Sequence, residues 1–384
     1  MRFLADYLNS MDRTKANSKE EFHVLITTVP QQAGGGISTL HRILFSQKAE
    51  MGFQFVPLEV SSRSPWSESL TGRFARISFC NALFVLLLIK DNLARIVHIN
   101  TAPDTKALLR DVPLILIAKS LGRKVVVQIH GGLSDYNTPW AINRIAIHAF
   151  NLCDRILVFS KKDMNELRPK IPTEKICVFP NAVNVKEIVS IDGNLRKNLL
   201  IPEENKIVLF ISRFIKEKGV FDFIESIPNV LRDFRKVTFV FVGDGPEMGE
   251  MQKRCSSMAL KDCIRFTGYL DYEDTLRAFR SADIFVLPSH SEAMPISILQ
   301  ALAAGLPIIS THVGAIPEIL REGVNCLFAE SKNPANLEKS LRILLKNDAI
   351  RQQMKASNVK LAREEFDVTV VLGKLGKLYN DLLN

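Results

Sequence analysis

Short apolar runs rich in β-branched residues alternate with longer amphipathic segments along most of the chain. Segments of helical length, such as Ile37–Met51, Val220–Arg232 and Asp271–Ser281, predict helices between strands. Strands that are almost continuously apolar and separated by helices are typical of parallel sheets buried on both faces, so we expect an α/β fold. The runs that predict strands are 22–28, 96–99, 124–129 and 155–159 in the first half, and 206–212, 237–242, 264–267, 284–287 and 307–310 in the second.

The chain has 384 residues, which exceeds the usual size of one core and favours two domains. We predict the seam between them near Ala182–Asn194, because the polar stretch 185–205 offers few core positions. We therefore predict an N-terminal domain over 1–185 and a C-terminal domain over 186–367, each built on a doubly wound sheet. Ligands of such sheets bind beyond the carboxyl ends of the strands, so the residues just after each strand are the candidates for a site.

Composition adds an uneven charge to this outline. The net charge is +9, and residues 1–185 hold 23 Lys and Arg against 15 Asp and Glu. A basic half favours an anionic partner such as a phosphorylated substrate or a phospholipid surface, and a merely solvated basic surface is the alternative. Nucleic acid is not expected, because no aromatic-basic motif accompanies the charge.

The cysteines and the apolar runs indicate the compartment. The 6 cysteines are scattered and form no C-x-x-C pair, which is typical of reduced thiols in a cytoplasmic protein. The N-terminus lacks the apolar run of a signal peptide. The most apolar stretch, Ile77–Ile89, is too short to span a bilayer, so we expect no transmembrane helix.

Glycines and a histidine follow two strands of the first half. The run Gly34-Gly35-Gly36 precedes a helix, whose N-terminal N–H groups suit an anion; a plain tight turn is the alternative. His130 directly follows the strand 124–129 and is followed by two glycines. That place suits contact with a ligand, and a histidine held only by packing is the alternative.

The strand at 206–212 leads into a basic loop that contains Arg213 and Lys218. The two cations converge on the start of the next helix and can neutralise a diphosphate, the guanidinium as a bidentate fork and the ammonium as a point charge. An exposed basic loop is the alternative, since Lys216 lies there too.

The stretch 289–307 predicts the end of a strand, a polar loop, and a helix that begins near Pro295 and ends at Gly305. Glu292 lies in the loop, and Gln300 follows inside the helix. We expect both side chains to face one cleft. A carboxylate near a helix start suits a polyhydroxylated ligand, and a capping Glu at the surface is the alternative.

Together these segments resemble the family 4 glycosyltransferases, a group of retaining enzymes with the GT-B fold. The family pattern is a glycine-rich first loop, a His after a central strand, R-x4-K-G, G-D-G-P and S-x-x-E-G-x-P-x3-L-E-A-x-A-x-G-x-P. The resemblance covers about residues 22–330 in the same order. It implies two Rossmann-like domains that face each other across a cleft, with the helix 368–384 packing back on the N-terminal domain. The matching segments here are Gly34–Gly36, His130-Gly131, Arg213–Gly219, Gly243–Pro246 and Ser289–Pro307.

The resemblance implies transfer of a hexose-type sugar, with retention, from a UDP- or GDP-sugar to a saccharide acceptor. The basic residues beside the apolar run Ile77–Ile89 favour a lipid-linked saccharide acceptor, and hence a role in cell-surface polysaccharide biosynthesis. Arg213 and Lys218 would hold the diphosphate and stabilise the charge that develops on it. Glu292 would contact the sugar hydroxyls, and His130 would orient the sugar. The other donor-binding residues would be Gly34, Gly35, Gly36, Tyr269, Leu270, Met294, Pro295, Ile296 and Gln300.

No metal or other cofactor is expected, because cations and helix dipoles would neutralise the diphosphate and the chain contains no D-x-D pair. Two positions depart from the family pattern. Gln300 replaces a Glu that holds the ribose hydroxyls in the family, and Ala293 replaces a Gly. An amide both donates and accepts hydrogen bonds, so we expect altered donor affinity and retained activity.

Two alternatives stay open on the sequence. A nucleotide-sugar epimerase can share the GT-B fold, and Gln300 is also compatible with a non-catalytic saccharide-binding partner subunit. The basic residues Arg63, Arg73 and Arg76, beside the apolar run Ile77–Ile89, predict contact of the N-terminal domain with an anionic membrane surface. We therefore expect a cytoplasmic protein that is peripheral on the inner face of the membrane.

Overall fold

The computed structural model describes residues 22–30, 35–46, 52–60, 70–91, 93–132 and 138–384. For residues 70–78 it describes the backbone only, and side chains are described from Phe79 onward. The predicted site residue Gly34 lies outside the described residues, as do Arg63 and the side chains of Arg73 and Arg76.

Strands and helices alternate along the described chain. The strands are β1 Phe22–Thr28, β2 Phe53–Glu59, β3 Ala94–Thr101, β4 Lys124–Ile129, β5 Arg155–Val158, β6 Ile176–Val178, β7 Lys206–Ile211, β8 Val237–Val242, β9 Ile264–Gly268, β10 Ile284–Leu287, β11 Ile308–Ser310 and β12 Cys326–Phe328. The α-helices are α1 Gly36–Ser46, α2 Leu70–Lys90, α3 Thr105–Ser120, α4 Trp140–Leu152, α5 Lys161–Leu167, α6 Val185–Ser190, α7 Leu195–Asn198, α8 Val220–Asp233, α9 Met248–Ser257, α10 Tyr272–Ser281, α11 Ile296–Ala304, α12 Ile316–Ile319, α13 Pro334–Lys346, α14 Asp348–Leu361 and α15 Val368–Leu383.

The described strands form two parallel sheets. Their orders are β2-β1-β3-β4-β5-β6 and β12-β11-β10-β7-β8-β9. The order reverses between β1 and β3 in the first sheet and between β7 and β10 in the second. Loops leave such a reversal in opposite directions and open a crevice at the carboxyl ends of the strands. The predicted α/β fold with two doubly wound sheets is confirmed.

Three strands are absent from the sequence prediction, each for a physical reason. Strand β2 contains Pro57, which lacks an N–H donor and suits only an edge strand. Strands β6 and β12 are the edge strand at one end of each sheet and have only 3 residues. The helix predicted over Ile37–Met51 is observed as Gly36–Ser46, and 47–51 lie outside the described residues.

Helix α15 covers one face of the first sheet. Its buried residues Val371, Leu375 and Tyr379 pack in one cluster with Phe22 and Phe53 of β1 and β2. The chain therefore crosses from the second sheet back to the first at its end, and the limits 1–185 and 186–367 stay predictions. The other face of the first sheet is covered by α2, α3 and α4.

Asp367 fixes that crossing. Its carboxylate accepts hydrogen bonds from the backbone N–H of Val185, at 3.2 Å, and of Thr369, at 3.0 Å, so that one side chain serves the first turns of α6 and α15. The six cysteines are free thiols, as expected. Within the described ranges, no helix is long and apolar enough to cross a bilayer.

Candidate functional site

A cleft of about 850 Å³ lies at the carboxyl ends of both sheets. Residues after β1 and β4 line it from the first sheet, and residues after β7, β9 and β10 line it from the second. Every predicted site residue within the described ranges belongs to this lining: Gly35, Gly36, His130, Arg213, Lys218, Tyr269, Leu270, Glu292, Met294, Pro295, Ile296 and Gln300.

The turn that carries Arg213 is clamped by the G-D-G-P segment. A Cβ added to Gly245 would lie 2.4 Å from the carbonyl oxygen of Phe214. A Cβ added to Gly243 would lie 2.0 Å from the carbonyl oxygen of Ser212. Asp244 accepts a hydrogen bond from the backbone N–H of Gly245 at 2.7 Å, so it fixes its own turn. Arg213 is exposed toward the cleft, and no ion-pair partner for it is found among the described residues. Its charge is therefore available to an anion.

Lys218 and Glu292 form an ion pair on the same side of the cleft. Their Nζ and Oε1 atoms are 2.7 Å apart, and the Glu292 side chain is only 8% exposed. The hydroxyl of Ser289 donates to the same carboxylate oxygen at 2.8 Å. Gly219 lets the loop that carries Lys218 pack closely against the loop that carries Glu292, because a Cβ at residue 219 would lie 2.0 Å from the carbonyl oxygen of Pro288. Its φ of +66° also favours glycine.

Helix α11 points its first turn into the cleft. Its N-cap is Pro295, and no side chain caps the free N–H groups of this turn. The helix ends at Gly305, which has a φ of 76°, as the sequence predicts. Gln300 is buried and lines the cleft, and its Nε2 atom has no hydrogen-bond partner within the described part of the chain. The amide is thus ready to donate to a bound group.

Asn181 is a cleft residue that sequence reasoning missed. It follows β6 closely, and its Nδ2 donates to the carbonyl oxygen of Met294 at 2.8 Å, which ties the two halves of the site together. Its buried Oδ1 has no partner among the described residues. The signal was its place beyond the carboxyl end of a strand, but β6 itself is too short to be recognised.

His130 reaches the cleft from the first sheet. Its Nε2 lies 2.8 Å from Oδ1 of Asn100, and its ring packs edge-on against Phe159, with the ring centroids 5.2 Å apart. Burial lowers the pKa of His130 to about 3, helped by the neighbouring His41 and His98. The imidazole is therefore neutral near pH 7. Asn100 directly follows the predicted strand 96–99 but was not singled out as a site residue; in the structure it is part of β3.

A cation–π contact links the two halves at the rim of the cleft. The guanidinium of Arg42 in α1 lies 4.8 Å from the ring centre of Tyr272 in α10. The Tyr272 hydroxyl donates to Glu187 at 3.0 Å, and burial raises the pKa of that hydroxyl. Within the described ranges, no group of three or more His, Cys, Asp or Glu side chains is arranged to hold a metal ion.

Two family models match the chain in succession. The model described as Glycosyltransferase Family 4 matches residues 51–187, and the one described as Glycosyl transferases group 1 matches residues 192–360. The chain belongs to the family 4, group 1 glycosyltransferases. The two matches cover the first sheet from β2 to β6, the whole second sheet, and the motifs that line the second side of the cleft.

Individual relatives are more distant. The chain is 23% identical to α-D-kanosaminyltransferase of Streptomyces kanamyceticus over 70% of this chain and 73% of that protein. It is 30% identical to phosphatidyl-myo-inositol mannosyltransferase of Mycobacterium leprae over 52% of each chain, so that match spans about half of the relative's length. The structure of Anabaena HepE in complex with UDP-glucose covers 94% of this chain and 100% of its own, with 16% identity and a TM-score of 0.74. The fold is GT-B, as the resemblance implied.

Proposed function

We propose that this protein is a retaining, metal-independent glycosyltransferase that moves a hexose-type sugar from a UDP- or GDP-sugar to a saccharide or lipid-linked saccharide acceptor. The observation that carries the proposal is the partly buried ion pair of Lys218 and Glu292, 2.7 Å apart, in a cleft that His130 lines from the other sheet. The complex of HepE with UDP-glucose supports a nucleotide-sugar donor, since that protein has the same fold.

The donor diphosphate would lie between Arg213, Lys218 and the first turn of α11. Arg213 is free of an ion pair among the described residues, and the helix start offers uncapped N–H groups. These groups stabilise the negative charge that develops on the leaving diphosphate, which is the part a metal ion plays in other transferases. Metal independence therefore rests on these cations, and transfer should persist in EDTA.

Glu292 would meet the sugar. When a diphosphate draws Lys218 toward it, the Glu292 carboxylate loses part of its ion pair and can accept hydrogen bonds from sugar hydroxyls. Retention is proposed from family membership. Proton NMR of the first product formed would test it, since an inverted anomeric configuration would contradict retention.

A panel of UDP- and GDP-sugars, read by thermal shift and then by transfer and hydrolysis, tests the donor assignment. Arg213→Ala should lower donor affinity at least tenfold, because a charge-assisted hydrogen bond to phosphate is worth about 1.5–3 kcal/mol. Lys216→Ala is the matched control, since Lys216 is exposed in the same loop and does not line the cleft. An Arg213→Ala variant with unchanged donor binding would remove the basis for the diphosphate site.

The same incubations separate the two alternatives. Conversion of the donor sugar to its epimer without acceptor would favour an epimerase. Donor binding without transfer or slow hydrolysis would favour a non-catalytic saccharide-binding subunit, a reading that Gln300 motivates.

A lipid-linked acceptor is favoured by an apolar surface on the first domain. Helix α2 exposes Phe79, Leu86 and Ile89, whose spacings of seven and three residues place them on one face of the helix. Helix α3 exposes Leu109 and Leu116, which are seven residues apart and also share a face. Large exposed apolar patches mark interaction surfaces. We propose that this surface meets an anionic membrane at its cytoplasmic face, where the acceptor is presented for polysaccharide assembly. The Mycobacterium leprae relative is named for a lipid acceptor.

A further inference from the structure

Behind His130 lies a chain of hydrogen bonds that runs through Asn100 and His41 to the backbone of the first sheet. Asn100 is buried, and it lies in β3 beside β1, the strand at the reversal of the sheet. Because the chain ends on backbone carbonyl groups, which only accept hydrogen bonds, the direction of every bond in it is determined.

The orientation of the Asn100 amide follows from its contact with β1. The terminal atom that faces the carbonyl oxygen of Thr27, at 2.8 Å, must be the nitrogen, because that oxygen has no proton to give. The backbone N–H of Asn100 donates to the Thr27 hydroxyl at 2.8 Å, which holds the residue in place. The other terminal atom, Oδ1, is therefore the one that faces His130 Nε2, at 2.8 Å.

The tautomer of His130 follows from the amide. Since Oδ1 only accepts, Nε2 of His130 carries the proton, and since the ring is neutral near pH 7, Nδ1 carries a lone pair. His130 lines the cleft, and Nδ1 forms no hydrogen bond with the residues that the structure describes. The cleft thus receives an acceptor nitrogen from this ring.

His41 completes the chain on the far side of the amide. The second N–H of Asn100 donates to His41 Nε2 at 3.1 Å, so His41 is protonated at Nδ1 and donates to the Thr28 hydroxyl at 2.5 Å. That hydroxyl donates in turn to the carbonyl oxygen of Val29 at 3.1 Å. Burial lowers the pKa of His41 to about 4, which keeps this ring neutral as well. Flipping the amide would break both of its donor contacts.

We propose that Asn100 and His41 are positioning residues that hold His130 as the Nε2–H tautomer, so that Nδ1 accepts a hydrogen bond from a hydroxyl of the donor sugar. The inference rests on the proposed function for the identity of the ligand, and on this hydrogen-bond chain for the tautomer. An acceptor-only contact recognises a hydroxyl and rejects a sugar in which that hydroxyl is replaced by hydrogen or by an acceptor.

The tautomer is measured directly by long-range ¹H–¹⁵N correlation NMR on the full chain labelled with ¹⁵N-histidine. The His130 signals are assigned with His130→Gln, and His148→Gln serves as the control because His148 is exposed on α4. We expect a protonated Nε2 and an unprotonated Nδ1 at pH 7. A protonated Nδ1 would overturn the inference, whether or not any sugar is transferred.

Asn100→Asp gives the kinetic test with the best donor of the panel. The carboxylate raises the pKa of His130 toward neutrality, so that as pH falls Nδ1 gains a proton and ceases to accept. Relative to wild type, kcat/KM should fall about tenfold more at pH 6 than at pH 8, as one hydrogen bond is lost. An unchanged pH profile in a folded Asn100→Asp variant would overturn the positioning role.

His130→Gln separates the sugar contact from the transfer reaction. Wild-type kinetics in this variant would overturn the hydroxyl contact but leave the proposed transfer standing. The absence of turnover of any donor by the wild-type protein would count against the proposed transfer alone.

Discussion

Gln300 places an amide where the family pattern has a carboxylate, and the surroundings of the side chain suit an amide. It is buried, its Nε2 atom has no partner among the described residues, and no cation pairs with it there. A carboxylate at this position would lose its hydration without gaining an ion pair, which raises its pKa and costs stability. The amide avoids that cost and keeps one donor and one acceptor for the ligand.

Gln300→Glu should therefore trade stability for donor affinity. We expect the free energy of unfolding of the ligand-free variant to fall by about 1–3 kcal/mol, and the thermal shift produced by the donor to grow, because the ribose hydroxyls would compensate the carboxylate. Gln300→Ala is the control that removes both hydrogen-bonding groups. Equal donor affinity in all three proteins would exclude a ribose contact at this position.

The buried histidines give a second prediction at the scale of residues. Burial lowers the pKa of His41 to about 4 and that of His98 to about 3, so the folded protein binds these protons only well below the pH at which the unfolded chain does. Protons then favour unfolding, and the free energy of unfolding should fall by roughly 1 kcal/mol per histidine for each pH unit below about 6.5. Urea unfolding at pH 7, 6 and 5 measures the slope. It should be smaller in His41→Gln and unchanged in His148→Gln.

The loops after β7 and β10 act as one unit at the scale of elements. Backbone contacts between them are so close that Gly219 cannot carry a Cβ, and the His290 N–H donates to the carbonyl oxygen of Glu217 at 2.7 Å. This contact places Lys218 beside Glu292. The geometry of the ion pair is therefore set by the backbone contacts between the two loops as well as by the two side chains.

Gly219→Ala should separate the two loops. The added Cβ meets the carbonyl oxygen of Pro288 and forces a left-handed backbone on alanine, so we expect a loss of about 2–4 kcal/mol in the free energy of unfolding and a donor affinity at least tenfold weaker. Gly249→Ala is the matched control, since a Cβ there meets no atom within 4 Å and the site is helical. That control should be slightly stabilised, by about 0.5–1 kcal/mol. Normal donor binding in Gly219→Ala would show that the pair does not need this contact.

At the scale of the whole molecule, the two sheets are joined by more than the connection after β6. Helix α15 returns from the second domain to cover the first sheet, Asn181 bonds to Met294, and the N–H of Lys161 donates to the Glu318 carboxylate at 2.8 Å. These contacts join the two domains at three places, and of them only the contact of Asn181 with Met294 lies in the lining of the cleft. The apolar surface on α2 and α3 lies on the opposite face of the first sheet from α15.

That surface makes a testable prediction about membranes. Phe79→Ser with Ile89→Ser should lower the fraction that sediments with anionic phospholipid vesicles by at least tenfold, because each apolar side chain contributes about 1.5–3 kcal/mol when buried in lipid. Leu200→Ser is the control, since Leu200 is an apolar residue of the second domain that is even more exposed than Phe79 and Ile89. Sedimentation that is insensitive to the double substitution would remove this surface from the proposal.

The sequence by itself determined the parts of this protein that local patterns encode. Apolar runs predict the long central strands because a strand buried on both faces needs continuous hydrophobicity. Strand ends followed by Gly, His, Arg or Glu predict the site residues because parallel strands bring their carboxyl ends to one edge. Short edge strands such as β6 and β12 carry too little pattern to be recognised, and β2 is obscured by Pro57.

Only the tertiary structure decided how these residues meet. Three contacts of the site join residues that are 30 or more positions apart in the sequence. They are the ion pair of Lys218 and Glu292, the hydrogen bond of Asn181 to Met294, and the hydrogen bond between Asn100 and His130. No local pattern specifies such contacts, because they depend on how the loops approach one another after the sheets have formed. The direction of the hydrogen bonds behind His130 is the clearest case, since it is set by carbonyl groups of a neighbouring strand.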